Sequence, residues 1–165
     1  MPMNASEGIT FAALAALLAS CAPSGSSEAG WVVCADSAAT VEAARMAAAL
    51  TPSQAAVSLA GWMVEAPLSQ AAFVHELYAG LRRAYADDAP CLDASLDSLF
   101  ALQEPAAQAR MVVLSASPER AAAALVADST VVGLIPIVEQ IYADEAPDSL
   151  MLRRFQNALP RKQSN

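Results

Sequence analysis

The sequence predicts an α+β fold in which helices pack on a small antiparallel sheet, in the order helix, strands, helix, strands, helix. Two patterns lead to this prediction. Apolar residues recur with a helical period in Ser69–Asp88, whereas Ala55–Glu65 and Leu92–Leu102 alternate between apolar and polar residues, as half-buried strands do. An all-α helical bundle is the alternative, because alanine, the strongest helix former, is the most frequent residue in the chain.

The first apolar run of the chain allows two interpretations. Ile9–Leu18 would form an amphipathic helix with Phe11, Leu14 and Leu18 on one face. The run leads to Cys21 and a Pro/Ser/Gly-rich stretch, which is typical of a bacterial lipoprotein signal. Such a signal needs a basic segment ahead of its apolar run, and no lysine or arginine precedes this one. The helix is therefore preferred, and the lipoprotein is the minor alternative.

Strands are predicted in the next third of the chain. Trp31–Asp36 is rich in β-branched and aromatic residues, which favours a strand. Thr40–Leu50 is ambiguous, because its alanines favour a helix whereas its position suits a second arm of a hairpin. In Ala55–Glu65 the alternation breaks at Gly61, where a bulge would fit. The competing interpretation of that segment is one helix over Pro52–Glu65.

The helix over Ser69–Asp88 is the clearest element of the sequence. Its large apolar residues follow helical spacing and would line one face; they are Val74, Leu77, Tyr78, Leu81 and Tyr85. Pro67 and Ser69 supply start signals, and Pro90 stops the helix. We therefore expect this helix to pack across the sheet.

The rest of the chain predicts further strands and then helices. Leu92–Leu102 is interpreted as an alternating hairpin and Met111–Leu114 as another strand. Ser117 followed by proline is a strong helix start, which predicts a helix to about Ala127. Helical spacing resumes over Val131–Tyr142 with a break at its glycine and proline, and a short helix follows before the frayed end.

The chain's size and charge limit its function. Its 165 residues fit one domain, spanning residues 1–165 with residues 1–7 and 158–165 frayed. Its formal net charge is −8, which would repel the phosphate backbone of a nucleic acid. An acidic surface instead favours contact with basic segments of partner proteins. No run of residues is long enough to span a bilayer, so we expect no membrane partner.

Catalytic and metal-binding patterns are missing from the sequence. The three cysteines are widely separated, and His75 is the only histidine, so neither a zinc site nor any cofactor is expected. A general base needs a partner that orients it, and none is marked near His75, which we expect at the surface or at the boundary of the core. We therefore predict a protein that is not an enzyme.

A degenerate response-regulator receiver is a further alternative. The run Arg110–Ile137 is similar to the second half of such a domain, with Ser115 at the hydroxyl position and Asp87 near the phosphoacceptor. The paired acidic residues and the lysine of that family are missing, and magnesium would not be held without those carboxylates.

The order of elements resembles the class I chaperones of type III secretion, the Tir-chaperone-like family. The resemblance covers most of the chain and consists of a first helix, a strand and turn, a second helix, an acidic alternating hairpin and a closing helix. The first four correspond to Phe11–Leu18, Gly30–Asp36, Leu77–Leu81 and Leu92–Gln103. No single invariant motif carries it.

The resemblance implies a cytoplasmic, virulence-associated homodimer that holds an extended segment of a secreted effector protein against its sheet. The residues implied to bind the effector are Trp31, Val33, Trp62 and Val64; ordinary core positions are the alternative for these four. The residues implied at the dimer interface are Val74, Leu77, Tyr78, Leu81, Leu92 and Leu96.

Overall fold

The computed structural model describes residues 38–146 and 148–161, and this part of the chain folds into eight α-helices joined by tight turns. The first four are α1 (Ala38–Ala49), α2 (Pro52–Glu65), α3 (Ala71–Tyr85) and α4 (Ala89–Ala101). The second four are α5 (Pro105–Ser115), α6 (Pro118–Ala127), α7 (Ile135–Glu145) and α8 (Leu150–Ala158). The expected N-terminal helix, the lipoprotein signal and the strand at Trp31–Asp36 lie outside the described residues.

The prediction of an α+β fold is wrong for the described residues, which contain no strand and form an all-helical arrangement. Ala55–Glu65 belongs to α2, where the buried positions Ala55, Leu59 and Met63 are four residues apart. Leu92–Leu102 is nearly all in α4, where Leu92, Leu96 and Phe100 follow the same spacing. Positions four residues apart lie on the same face of a helix. They also lie on the same face of a strand, because strand side chains alternate with a period of two. This spacing is therefore compatible with both structures, and it was interpreted as a strand. The ambiguous Thr40–Leu50 lies almost wholly in α1.

The predicted strand Met111–Leu114 is instead the buried half of α5. All four of its side chains are at most 1% exposed. A helix is apolar on every side when other helices surround it. Helix α5 meets that condition, since it packs against α2, α3 and α7. It is the central element of the core, and the continuous apolar run reflects burial rather than a strand.

Helix α3 confirms the helix expected over Ser69–Asp88, with slightly shorter bounds. Helix α1 packs closely across it. A Cβ atom built on Gly80 of α3 would lie 2.8 Å from the Cβ of Ala43 in α1, closer than real Cβ atoms approach. The glycine is therefore required for the two backbones to come this near.

Local chemistry explains where several helices begin. The side chain of Thr51 accepts a hydrogen bond from the Gln54 amide, and the Gln54 side chain accepts one from the Thr51 amide, which together form a capping box before α2. The predicted start at Ser117 is confirmed, since its hydroxyl caps α6 and Pro118 follows. The expected break in Val131–Tyr142 is also confirmed, because a 3₁₀ turn over Val132–Leu134 precedes α7.

Most of the largest helix contacts join two helices that have one other helix between them along the chain, and the contact of α2 with α5 is the exception. Helix α1 lies on α3, α2 on α4 and α5, α5 on α7, and α6 on α8. The buried side chains of all eight helices belong to one hydrophobic core. This arrangement leaves the end of α2 and the turn into α3 at the surface.

Candidate binding groove beside Trp62

An open groove of about 440 Å³ lies where α2 ends and the chain turns into α3. We call it the Trp62 groove. Its lining residues come from the last two turns of α2 and from the connection that follows; they are Ser58, Gly61, Trp62, Glu65, Ala66, Pro67 and Gln70. Glycine and proline provide small or rigid walls, and the tryptophan provides a large flat one.

Trp62 is an aromatic side chain that is held in place yet remains accessible. It is 38% exposed. One face of its indole stacks on the Phe73 ring of α3, with ring centroids 5.1 Å apart and planes inclined by 29°. Phe73 in turn packs against the core. The Trp62 indole N–H makes no hydrogen bond to the described part of the chain.

Gly61 leaves the middle of the groove open. A Cβ atom placed on it would meet no other atom within 4 Å. Glycine within a helix exposes the backbone and lowers helix stability relative to alanine. Gly61 therefore contributes backbone to the lining of the groove, and a side chain at this position would enter open space without disturbing the core.

The wall of the groove is fixed from behind by Arg110 of α5. Its Nε donates to the Val64 carbonyl at 3.0 Å, and its Nη2 donates to the Ala66 carbonyl at 2.6 Å. These carbonyls belong to the end of α2, where carbonyl groups lack helical donors and the helix dipole favours a cation. Arg110 thus caps α2 from a different helix.

Glu145 of α7 completes this arrangement. It forms an ion pair with both terminal nitrogens of Arg110, one of them at 3.1 Å. It also accepts a hydrogen bond from the Leu68 amide at 3.2 Å. The hydrogen bonds from Arg110 are the main reason that the pKa of Glu145 is lowered. The turn beneath the groove is therefore held at three backbone positions by one ion pair.

The four residues predicted to bind a partner have different positions. Trp62 lines the groove, as described above. Val64, on the same helix, is half-buried and packs against the core, so its side chain is a structural one. Trp31 and Val33 lie outside the described residues. Of the two that the structure describes, only Trp62 lines the groove.

The six residues predicted at a dimer interface lie inside the core of one chain. Val74, Leu77, Tyr78, Leu81, Leu92 and Leu96 are all 0% exposed. They join α3 to its neighbouring helices. A second copy of the chain would have no access to them unless this core opened.

A buried polar cluster connects α3 to α4. The alternation pattern had predicted that its aspartate, Asp93, would face solvent. Asp93 is only 3% exposed. It accepts hydrogen bonds from the Tyr78 hydroxyl at 2.5 Å and from Arg82, whose Nη2 lies 3.1 Å away. Burial, followed by the hydrogen bond to Asp93, raises the pKa of Tyr78. Both hydrogen-bond partners of Asp93 lie on the neighbouring helix α3, so this cluster stabilises the packing of α3 against α4.

The residues considered for catalysis are not arranged as a site. His75 is half-buried, as a boundary position would be, and its Nε2 atom is buried. Asp87 is exposed in the turn Ala86–Asp88, whereas Ser115 is fully buried and donates to the Val112 carbonyl. The receiver-like arrangement also requires a sheet, and the described residues form none.

Residues 38–146 and 148–161 contain neither a cluster of metal ligands nor a helix that could cross a membrane. No three or more His, Cys, Asp or Glu side chains come together there as a metal site. None of the helices in this part combines the length and apolar character that crossing a membrane requires.

Comparison with known proteins yields no relative. No protein-family description, no curated protein and no solved structure matches the chain. The resemblance to class I secretion chaperones therefore stays a prediction.

Trp62 is the one residue of the groove that the sequence pattern had singled out as a binding residue. Gly61 was interpreted as a strand bulge and Pro67 only as a helix start, so their shared location was not foreseen. One sequence feature could have indicated the groove. A glycine and a tryptophan lie in the last turns of a possible helix, and a proline follows closely. No local pattern linked Arg110 to this site, since its partners are far away along the chain.

Proposed function

We propose that this chain is an all-helical interaction adaptor that binds a short segment of a partner protein in the Trp62 groove, without catalysis. The observation that carries the proposal is the accessible Trp62 ring, stacked on Phe73 beside the open backbone of Gly61. A tryptophan that is rigid before binding loses little conformational entropy when a partner covers it. Tryptophan is also among the residues that most often dominate binding energy at interfaces.

The size and rigidity of the groove favour a segment over a folded domain. A volume of about 440 Å³ accommodates a few side chains. The backbone behind the groove is held by Arg110 and Glu145, so the shape is formed before the partner arrives. A pre-formed groove with an aromatic wall suits an extended or turn-forming segment that inserts one or two side chains.

Site-specific photo-crosslinking in the native host tests this function. A photoreactive residue replaces the exposed Ser58, which lines the groove, and the same residue at the exposed Ala123 of α6 serves as the control. We expect a discrete protein to be crosslinked from position 58 but not from position 123, and the purified protein to rebind the purified chain.

Two substitutions at one position show whether binding uses the groove. Gly61→Leu fills the groove, and Gly61→Ala leaves most of it open; neither meets another part of the protein at its Cβ. We expect Gly61→Leu to abolish the crosslink and Gly61→Ala to retain it. A crosslink that forms equally from position 123, or survives Gly61→Leu, would contradict the proposal.

The secretion-chaperone hypothesis remains a prediction about the class of partner. Its original binding mode used strands, and those segments of the described chain are helices. A secreted effector segment would instead have to occupy the Trp62 groove. Identification of the crosslinked protein decides whether the partner is of that class.

A further inference from the structure

We propose, on the basis of the function proposed above, that the bound segment presents an arginine whose guanidinium stacks on the Trp62 indole and pairs with the Glu65 carboxylate. The groove is lined both by the aromatic side chain of Trp62 and by the negatively charged Glu65.

Trp62 and Glu65 are placed to contact the same group. They are three residues apart on α2, and residues at this spacing have Cβ atoms about 5–6 Å apart on one helix face. Both line the groove. A guanidinium stacks on tryptophan through the attraction of a cation to the ring face, and its edge can at the same time donate two hydrogen bonds to a carboxylate. A lysine ammonium is a compact point charge and cannot do both as well.

No cation of the described residues pairs with the charge beside the groove. Glu65 is exposed and forms no ion pair within the described residues. The cation behind the wall, Arg110, is already paired with Glu145. Glu65 is the last residue of α2, where the helix dipole adds partial negative charge. The groove therefore attracts a cation.

The remaining polar groups of the groove also suit an arginine. The Ser58 hydroxyl and the Gln70 side-chain amide both line it and can accept hydrogen bonds. A guanidinium carries five N–H donors, so it can use more than one acceptor. The net charge of −8 adds long-range attraction for a basic segment and repels an acidic one.

A selection from displayed random nonapeptides tests this inference on the full chain. Peptides are selected on the wild-type protein, and those that also bind the Gly61→Leu variant are removed. We expect the survivors to be enriched in arginine next to an apolar residue. The best peptide is then synthesised with arginine, with lysine and with citrulline, the neutral isostere of arginine. Binding is followed by the fluorescence of Trp62 in a Trp31→Phe background, since these are the two tryptophans of the chain.

The expected coupling is specific to arginine and Glu65. We expect Glu65→Gln to weaken the arginine peptide about three- to fivefold, as for an exposed ion pair that is aided by stacking. The citrulline peptide should bind the wild-type chain about as weakly as the arginine peptide binds the Glu65→Gln variant. Its affinity should not fall further when Glu65→Gln is introduced. Glu104→Gln, which alters an exposed carboxylate outside the groove, should change neither peptide.

The outcomes separate this inference from the proposed function. Peptides that discriminate against Gly61→Leu but bind equally with arginine or citrulline overturn the arginine inference and leave the adaptor function standing. Selection that yields no peptide able to discriminate against Gly61→Leu overturns both.

Discussion

Arg110 of α5 and Glu145 of α7 form a two-point ion pair that also holds the backbone between α2 and α3. Arg110 binds two carbonyl groups at the end of α2, and Glu145 binds the amide of Leu68. The pair thus joins three parts of the chain that are far apart in sequence. It does so directly behind the Trp62 groove, so the shape of the groove depends on it.

The first prediction concerns removal of this cation. We expect Arg110→Met to lower the free energy of unfolding by about 2 kcal/mol, because it leaves a partly buried carboxylate unpaired and two carbonyls without donors. Urea denaturation followed by circular dichroism measures this loss. The fluorescence of Trp62 in a Trp31→Phe background should also change, since the end of α2 is no longer held.

The ion pair between Arg45 and Glu42 provides a matched control. It lies within one helix, and the Arg45 side chain is 67% exposed. Solvent screens such a pair, so we expect Arg45→Met to cause no measurable loss of stability. Equal losses in the Arg45 and Arg110 variants would show that the position of Arg110 has no special role.

The second prediction compares alanine at two glycines within helices. Gly80→Ala places a methyl group 2.8 Å from the Cβ of Ala43, so we expect it to force α1 away from α3 and to lower stability by about 1–2 kcal/mol. Gly61→Ala meets nothing, and we expect it to raise stability by about 0.5–1 kcal/mol through helix propensity alone. Thermal and urea unfolding of the two variants measures both changes.

A compensating substitution tests the cause of the loss at Gly80. Ala43→Gly removes the methyl group that the new side chain would meet. If close packing is the cause, the double variant should recover part of the stability that Gly80→Ala loses. Two results would show that the close approach of α1 to α3 is not the cause. One is a double variant no more stable than Gly80→Ala, and the other is a loss of stability in Gly61→Ala equal to that in Gly80→Ala.

The parts of the fold that the sequence predicted correctly are those encoded by local chemistry. Ser117 and Pro118 specify a helix start through a hydroxyl cap and a fixed backbone angle, and both act within a few residues. The long apolar stripe of α3 has a period that no strand can share. These features do not depend on what surrounds them.

The parts that were wrong depend on tertiary surroundings. Met111–Leu114 is an apolar run short enough for either a strand or a buried helix, and only the helices around α5 decide between them. Asp93 looked like a solvent-facing residue, yet it is buried because Tyr78 and Arg82 on another helix satisfy it. The Trp62 groove was missed for the same reason, since Arg110 shapes it from a distant part of the chain.

The third prediction concerns the turn between α3 and α4. Ala86 has φ 50° and ψ −111°, a conformation that glycine adopts easily and alanine does not. We expect Ala86→Gly to raise the free energy of unfolding by about 1 kcal/mol, because it relieves this strain. Ala84→Gly, two residues earlier within the helix, should lower it by about the same amount. Urea denaturation of both variants checks the opposite signs, and a loss in both would contradict a strained Ala86.

The fourth prediction concerns His75 and acid stability. Burial, with a smaller contribution from the nearby Arg120, lowers the pKa of His75 to about 4, although a hydrogen bond with the Val113 backbone opposes the shift. The unfolded chain binds this proton near pH 6.5, so between about pH 6.5 and pH 4 acid favours unfolding. The stability should therefore be complete above pH 6.5 and fall by on the order of 3 kcal/mol towards pH 4.

The matching measurement is urea denaturation at intervals from pH 5.5 to pH 7.5, a window about one pH unit or more above the ordinary pKa values of Asp and Glu side chains. In the wild-type chain the free energy of unfolding should rise with pH across this window. His75 is the only histidine, so His75→Gln should remove most of that slope, whatever its effect on stability at pH 7.5. A slope of the same size in His75→Gln would contradict the assignment to His75. The lowered pKa of Glu145 confines the effect of that carboxylate to lower pH, so it cannot produce the slope.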